Sequence, residues 1–548
     1  MWQRSGHPGH SGMWLVALTC TTAMSCAAPA QQGGTSSSTA QPGIQQTRGT
    51  LTLASSMEPE TLHPKFLSGS GNGEYAWVFS SSLSFRDFEG VSRPLLAQEL
   101  PTQANGSWVI NPDGTMVTTY LLRPKILWHD GTPLTAHDFV FAHEVYLDPD
   151  LPTEKPHFER MMERVEARDD RTLAITWKES YVGANRLGHQ QLNPLPRHIF
   201  EGRYRNSREN FIHADEWTRA YVGTGPFKME SWSPGSQIVA RANMDFVLGP
   251  PKLDTLIIRF MFDQNVALAS LMAGEVDMVT SPSMRAPEAA IARDQWAQNR
   301  DGYIKAWSTR TSYIEFQFRE VPGWERAISD PRVRRALIHA LDRQGIAETV
   351  NLGFAPPADS FIAPSDQIFQ AVDRALIKYP YDPSRATAVL AEAGWTRPPG
   401  RDLLANATGD TLDGELHASL GNLPSAQIIT DNWKSVGVNS SIFPIPPARE
   451  RDTEMRAHFK ATGLNGRTIA PEQFIWTCDR FPTRENGWTG SNRGAFCDAE
   501  ADRLQSIRMG SLDDGERREA TITLMRRMSE LVGAMPVIFA VEVIIARS

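Results

Sequence analysis

The sequence predicts an α/β fold with mixed sheets, and three observations predict it. First, Asp330-Pro331 and Asp382-Pro383 each open a helix, with Asp as N-cap and Pro at the first helical position. Apolar residues follow at helical spacing: Val333, Leu337, Ala340 and Leu341 after the first, and Ala386, Val389, Leu390 and Ala393 after the second, which Gly394 stops. Second, residues 222–260 carry strand chemistry. Gly223-Thr224-Gly225-Pro226 is a turn cluster, and residues 227–232 extend from it. Ser233-Pro234-Gly235-Ser236 breaks the chain, and residues 237–242 resume an extended pattern, which makes a hairpin. After Gly249-Pro250-Pro251, Leu256-Ile257-Ile258-Arg259-Phe260 is apolar enough for a buried strand. Third, helix passes directly to strand where Gly274 ends residues 267–273 and residues 276–279 lead on.

The remaining elements follow from the amino end. Arg4 supplies a weak positive region, and residues 13–23 are a short apolar run, too short for a permanent membrane helix. Residues 1–26 therefore read as a signal peptide. Ala23-Met24-Ser25-Cys26 resembles the cleavage box of bacterial lipoproteins, with Cys26 as the acylated first residue, although Ala23 stands where Leu is usual. An ordinary secretory signal with Cys26 near the cut is the alternative. Residues 27–48 are Ala, Gln, Gly, Ser, Thr and Pro with hardly any apolar mass; such a segment cannot fold and reads as a flexible tether. No second long apolar run follows, so the mature chain is expected not to span the bilayer. Asn111-Pro112-Asp113-Gly114 is a turn between two β-like runs. There is no internal repeat.

About 500 residues remain beyond the tether, enough for two or three domains. A net charge of −8 and the lack of a basic run argue against a nucleic-acid partner. Outside the signal segment the cysteines are Cys478 and Cys497. An even pair in an exported chain reads as one disulfide closing a loop of about 20 residues; two separate buried thiols are the alternative.

Catalytic signatures are missing. His143-Glu144-Val145-Tyr146-Leu147 begins like H-E-x-x-H, but Leu147 replaces the second His. His129-Asp130 and His137-Asp138 invite a metal or triad reading, against which stands a structural one. Neither G-x-S-x-G nor G-x-x-x-x-G-K-[ST] occurs. No cofactor and no metal are expected, and an enzyme is not.

Residues 222–260 also resemble the most recognisable segment of the family 5 extracellular solute-binding proteins, the oligopeptide-, dipeptide- and nickel-binding receptors of ABC importers. Residues 113–141, with W-H-D-G-T-P-L-T-A-H-D at 128–138, are similar to a second block of that family. Glu58 to Pro64, Arg93 to Ala97, residues 268–278, residues 330–353 and Tyr381-Asp382-Pro383 fit in family order. The resemblance implies a two-lobe periplasmic-binding-protein-like fold (type II, cluster C). Lobe I would comprise residues 49–82, 212–304 and 526–548, with an inserted domain at 83–211; lobe II would be 305–525. It implies a monomeric, lipid-anchored, extracytoplasmic receptor for a peptide or other small organic solute, delivering it to an ABC permease by hinge closure. A sensory receptor of the same fold is one alternative, and an extracytoplasmic hydrolase is another.

The site follows from the same resemblance. In the family's peptide binders, an aspartate in a G-W-x-x-D-like segment grips the ligand's α-ammonium. The corresponding stretch here is Thr462 to Arg467, with Leu464 at the aromatic position, Asn465 beside it and Arg467 at the aspartate. That reverses the charge and favours a carboxylate, phosphate or hydroxyl-rich ligand over an ammonium, if Arg467 faces the cleft rather than solvent. Phe474, Trp476, Trp488, Arg493 and Phe496 lie nearby as cleft lining or as packing. Met57 and Glu58 in the first-strand loop, and Phe85, stand where family members touch ligand. Gln317 replaces an asparagine common after its strand.

Overall fold

The computed structural model describes residues 49–548 apart from 67–71, 88–89, 152–156, 282, 451 and 469–473. The signal segment, the tether and Cys26 lie outside the described residues. In chain order the first strands are β1 (Thr50–Ser55), β2 (Ser84–Arg86), β3 (Ser92–Pro94), β4 (Trp108–Ile110), β5 (Met116–Leu121), β6 (Met162–Ala167) and β7 (Thr172–Trp177). Next come β8 (Phe227–Ser233), β9 (Gln237–Ala242), β10 (Thr255–Phe260), β11 (Met278–Val279) and β12 (Gly302–Phe316). The last are β13 (Asp413–Ser419), β14 (Asn439–Ile445), β15 (Thr462–Thr468) and β16 (Ala534–Arg547). Ten of them form one mixed sheet in the order β14-β13-β15-β12-β16-β11-β1-β10-β9-β8. A separate four-stranded sheet, β4-β5-β7-β6, belongs to the stretch between Phe66 and Trp217, whose buried apolar residues make a core of their own.

Local chemistry sets the elements. Asp330 accepts from Arg332 N at 2.8 Å to start the helix Pro331–His339, and Asp382 accepts from Arg385 N at 2.8 Å to start Pro383–Glu392. The first helix stops at His339, but Ala340 and Leu341 stay in the core as the chain turns into Arg343–Asn351. β8 and β9 pair as the hairpin the sequence predicts. In β10 the burial alternates: Leu256, Ile258 and Phe260 are buried, while Ile257 and Arg259 are half-buried. The strand therefore has one dry face rather than two.

The GTGP turn is held by close approach. Gly225 donates to the Phe79 carbonyl at 3.0 Å, and a Cβ on Gly225 would run into the backbone of residues 78–80. His129 clasps the same turn from the W-H-D-G-T-P block: its Nδ1 accepts from Gly223 N at 3.2 Å and its Nε2 lies 3.1 Å from the Gly225 carbonyl. Asp138, three residues past the N-cap Thr135 of the helix Ala136–Leu147, accepts from Thr135 N at 2.7 Å and from Arg197 N at 3.0 Å. His129 and Asp138 therefore fasten backbone.

β12 and β16 are the long antiparallel strands at the centre. Residues 302–307 of β12 pair with 542–547 of β16, whose end also pairs with β11. Residues 310–316 of β12 lie between β15 and the start of β16. The register shifts between Ser308 and Arg310, and again between Ser312 and Tyr313. Such irregularities bend a strand and increase its twist, and here they fall where β12 passes from one half of the sheet to the other. The helix Asp514–Leu531 packs Leu524, Met525 and Met528 against Tyr313, Phe474 and Trp476, so residues 526–531 sit with the second half.

Candidate functional site

The site begins with strand alternation. Thr311, Tyr313 and Glu315 point to one face of β12, while Ile314 and Phe316 enter the core on the other. β15 pairs antiparallel, with Thr311 opposite Arg467, Tyr313 opposite Asn465 and Glu315 opposite Gly463. Asn465 and Arg467 therefore share the Glu315 face. Leu464 goes to the opposite face, 1 % exposed among Ile314, Leu416 and Ala418. It is a core residue, and the reason is that residues 464 and 467 are an odd number of positions apart in one strand.

A buried polar network fills the Glu315 face. Asn465 Nδ2 donates to Glu315 Oε1. Asn465 Oδ1 accepts from Arg456 at 2.7 Å and from Arg493 at 3.1 Å. Arg467 rests against the Tyr313 hydroxyl, and Arg480 is close enough to Arg467 for their like charges to interact. Glu315 is 2 % exposed, and its Oε2 has no hydrogen-bond partner among the described residues. Burial pushes the Glu315 carboxyl above its ordinary range; the Arg493 and Arg456 guanidiniums, the Gly494 N–H and Arg467 pull it back. The four guanidiniums are half-buried, above this floor.

An aromatic wall stands beside it. Trp476 packs on Phe361 at 4.2 Å, Tyr313 at 5.1 Å and Phe474 at 5.4 Å between ring centres. Phe474 and Trp476 are buried, and Trp476 Nε1 has no partner among the described residues. Cys478 and Cys497 are joined by a disulfide, Cα atoms 4.8 Å apart, across the loop that carries Arg480 and Arg493. Arg319 ties that loop down by donating to the carbonyls of Pro482 and Arg493 and, at 2.8 Å, to that of Ala457. Gln317 is fully buried and bonds the carbonyls of Ala457 and Phe459.

The structure thus brings Asn465, Arg467 and Arg493 together, with Phe474 and Trp476 alongside. Met57 and Glu58 lie elsewhere, after β1. Glu58 accepts from Trp232 Nε1 at 2.7 Å and from Gly235 N at 2.9 Å, which fastens the hairpin turn. Phe85 is half-buried on β2, paired with Arg93 of β3. Sequence reasoning missed Glu315, Tyr313, Arg456 and Arg480. Glu315 had a signal: a carboxylate set between the apolar residues Tyr313-Ile314 and Phe316. Arg456 and Arg480 had none. Among the described residues no group of His, Cys, Asp or Glu is arranged to hold a metal ion.

A long mixed sheet threaded by two shared strands thus carries a half-buried polar cluster on one face. A family model described as bacterial extracellular solute-binding proteins, family 5, middle region, matches residues 100–481. The chain belongs to that family. It is 28 % identical over 333 residues to the oligopeptide-binding protein AppA of Bacillus subtilis, covering 60 % of this chain and 58 % of AppA. It is 26 % identical over 467 residues to heme-binding protein A of Haemophilus influenzae, covering 81 % of this chain and 78 % of that protein. The chain spans about half to three fifths of the length of the first curated relatives it matches. The structure of AppA in complex with a nonapeptide superposes with a TM-score of 0.68 at 21 % identity, covering 91 % of this chain and 95 % of AppA. That of NikA from Brucella suis in complex with Fe(III)-EDTA gives 0.72 at 19 % identity, covering 91 % and 95 %. The fold is the two-lobe periplasmic-binding-protein fold of this family.

Proposed function

We propose that this protein is an extracytoplasmic receptor that captures a small organic solute between two lobes and delivers it to an ABC transporter. The observation that carries this reading is the pair β12 and β16: both strands pass through both halves of the sheet, with strand irregularities at the crossing. Two lobes joined in this way can open and close as rigid bodies. A solute that touches both lobes only when they are closed shifts the population to the closed form, which a permease can distinguish from the open one. Lobe I is placed at 49–82, 212–304 and 526–548, the inserted domain at 83–211 and lobe II at 305–525. The packing of residues 526–531 favours moving the last border into β16.

AppA is named for oligopeptides and heme-binding protein A for heme, so relatives differ in cargo, and peptide is the starting candidate here. The receptor is monomeric and held at the membrane through an acylated Cys26, with residues 27–48 as its tether. Two experiments test this reading. Mass spectrometry after mild denaturation should find a solute that co-purifies in stoichiometric amount, and its complete absence under all growth conditions would count against a receptor. Labelling with a clickable fatty acid should mark the wild type and not Cys26→Ser; equal labelling would remove the anchor.

A further inference from the structure

The guanidiniums of Arg456, Arg467, Arg493 and Arg319 act on one buried carboxyl, Glu315; Arg319 is taken up by backbone carbonyls. Arg480 adds a positive charge beside Arg467. Glu450 lies near Arg456 and Asp479 near Arg480, both on the exposed side. Among the described residues none of Arg456, Arg467, Arg480 and Arg493 is in an ion pair. Arg456 and Arg493 converge on the same Asn465 oxygen, which brings two like charges together. Like charges held together in a half-buried cup are unfavourable, and the nearby carboxyls offset this only in part: burial pushes Glu315 toward its neutral form, and Glu450 and Asp479 are exposed. Neutral groups hold three of these arginines: Asn465, itself fixed by Glu315, accepts from Arg456 and Arg493, the Glu450 carbonyl accepts from Arg456 at 3.2 Å, and the Tyr313 hydroxyl lies against Arg467.

One further feature points to a missing acceptor. Trp476 Nε1 is a buried donor in a side chain 3 % exposed, and it has no partner among the described residues. Native structures seldom leave such atoms unmatched. Guanidiniums recognise planar or tetrahedral oxyanions through parallel N–H···O bonds.

We infer that this cup, formed by Arg456, Arg467, Arg480 and Arg493 over the Glu315–Asn465 floor, binds the oxyanion end of the solute, a carboxylate or a phosphate. The inference rests on the receptor reading above and names the ligand class for that site. Arg467 and Arg493 contact the oxyanion. Glu315 and Asn465 are positioning residues that act through the arginines.

The test uses the full mature chain, freed of bound solute, and four pools of tetrapeptides with the same random core: N-acetyl with a free carboxylate, N-acetyl amide, N-acetyl amide bearing a phosphoserine, and free-amine amide. Calorimetry should show binding of the carboxylate or the phosphoserine pool, whichever the cup accepts, at least tenfold tighter than the two pools without an anion. Arg467→Ala should weaken that binding by about 10- to 100-fold, as expected for lost charge-assisted hydrogen bonds, with the melting temperature of the unliganded protein unchanged. Asn465→Ala should weaken it as well, and Arg467→Lys should restore part of it. Mass spectrometry of the solute that co-purifies with the wild type should find an acidic group. Tightest binding of the free-amine amide pool, unchanged affinity in Arg467→Ala, or a co-purified solute with no acidic group overturns the oxyanion site and leaves the receptor standing. Failure of every pool together with the absence of any co-purified solute overturns both.

Discussion

Lys65 and Glu159 form an ion pair at 2.8 Å with both side chains essentially sealed from solvent, and Lys65 also donates to the Gln190 carbonyl at 2.8 Å. Removing one partner leaves the other charge buried, so Glu159→Ala should destabilise by about 3–5 kcal/mol. The double variant Lys65→Met/Glu159→Leu removes both charges and should come closer to wild type. Urea unfolding of the three variants would check the order, and a double variant worse than Glu159→Ala would refute it. Histidines set the acid limit nearby. Burial, then the Lys65 and His189 charges, hold His63 down at about 3; burial holds His129 and His189 at about 4. Each folded value lies below the ordinary 6.5, so the unfolded chain binds the proton more readily. The stability these groups contribute is whole above about pH 6.5 and is lost as pH falls through that value toward 4. The slope is about 1.4 kcal/mol per pH unit for each histidine. Urea midpoints between pH 7 and 4.5 should fall accordingly, and less steeply in His189→Gln.

At the scale of elements, the disulfide and Arg319 act on one loop. The bridge spans 19 positions, and in the chain-entropy model a loop of that size is worth about 3 kcal/mol. Cys478→Ala/Cys497→Ala should therefore lower the unfolding free energy by about that amount. Because Arg480 and Arg493 lie between the two cysteines, the same variant should also bind solute more weakly. Calorimetry at a temperature where the variant is still folded separates the two effects; unaltered affinity would show that the loop is positioned without the bridge. The helix caps at Asp330 and Asp382 were legible directly, since the accepting cap and the donating N–H lie two or three residues apart. The GTGP turn was legible as a turn, but its contact with Phe79 was not, because that partner is remote in sequence.

For the whole molecule, the proposed closure is the event to measure. A solute that binds the folded chain alone stabilises it by about 2.7 kcal/mol at a concentration 100 times its Kd. The purified, co-eluting solute should produce that shift on re-addition and should also reduce the radius of gyration measured by X-ray scattering. Stabilisation without compaction would mean binding to one lobe and would remove the hinge from the mechanism.

The sequence by itself determined the α/β class, the capped helices, the hairpin, and the family through ordered blocks such as W-H-D-G-T-P and G-T-G-P. These are written in runs of a few residues, where turn residues and caps act on their immediate neighbours. Only the tertiary structure decided the candidate site. Arg456, Arg467, Arg480, Arg493 and Glu315 come from separate stretches: Asn465 and Arg467 share the Glu315 face because β15 pairs with β12 in one particular register, and Arg456 and Arg493 reach Asn465 from outside those strands. A shift of one residue would turn Arg467 into the core and Leu464 into the cup. That register depends on the core contacts on the far face of the sheet, Ile314, Phe316 and Leu464 among them. No local pattern in 462–467 contains that information.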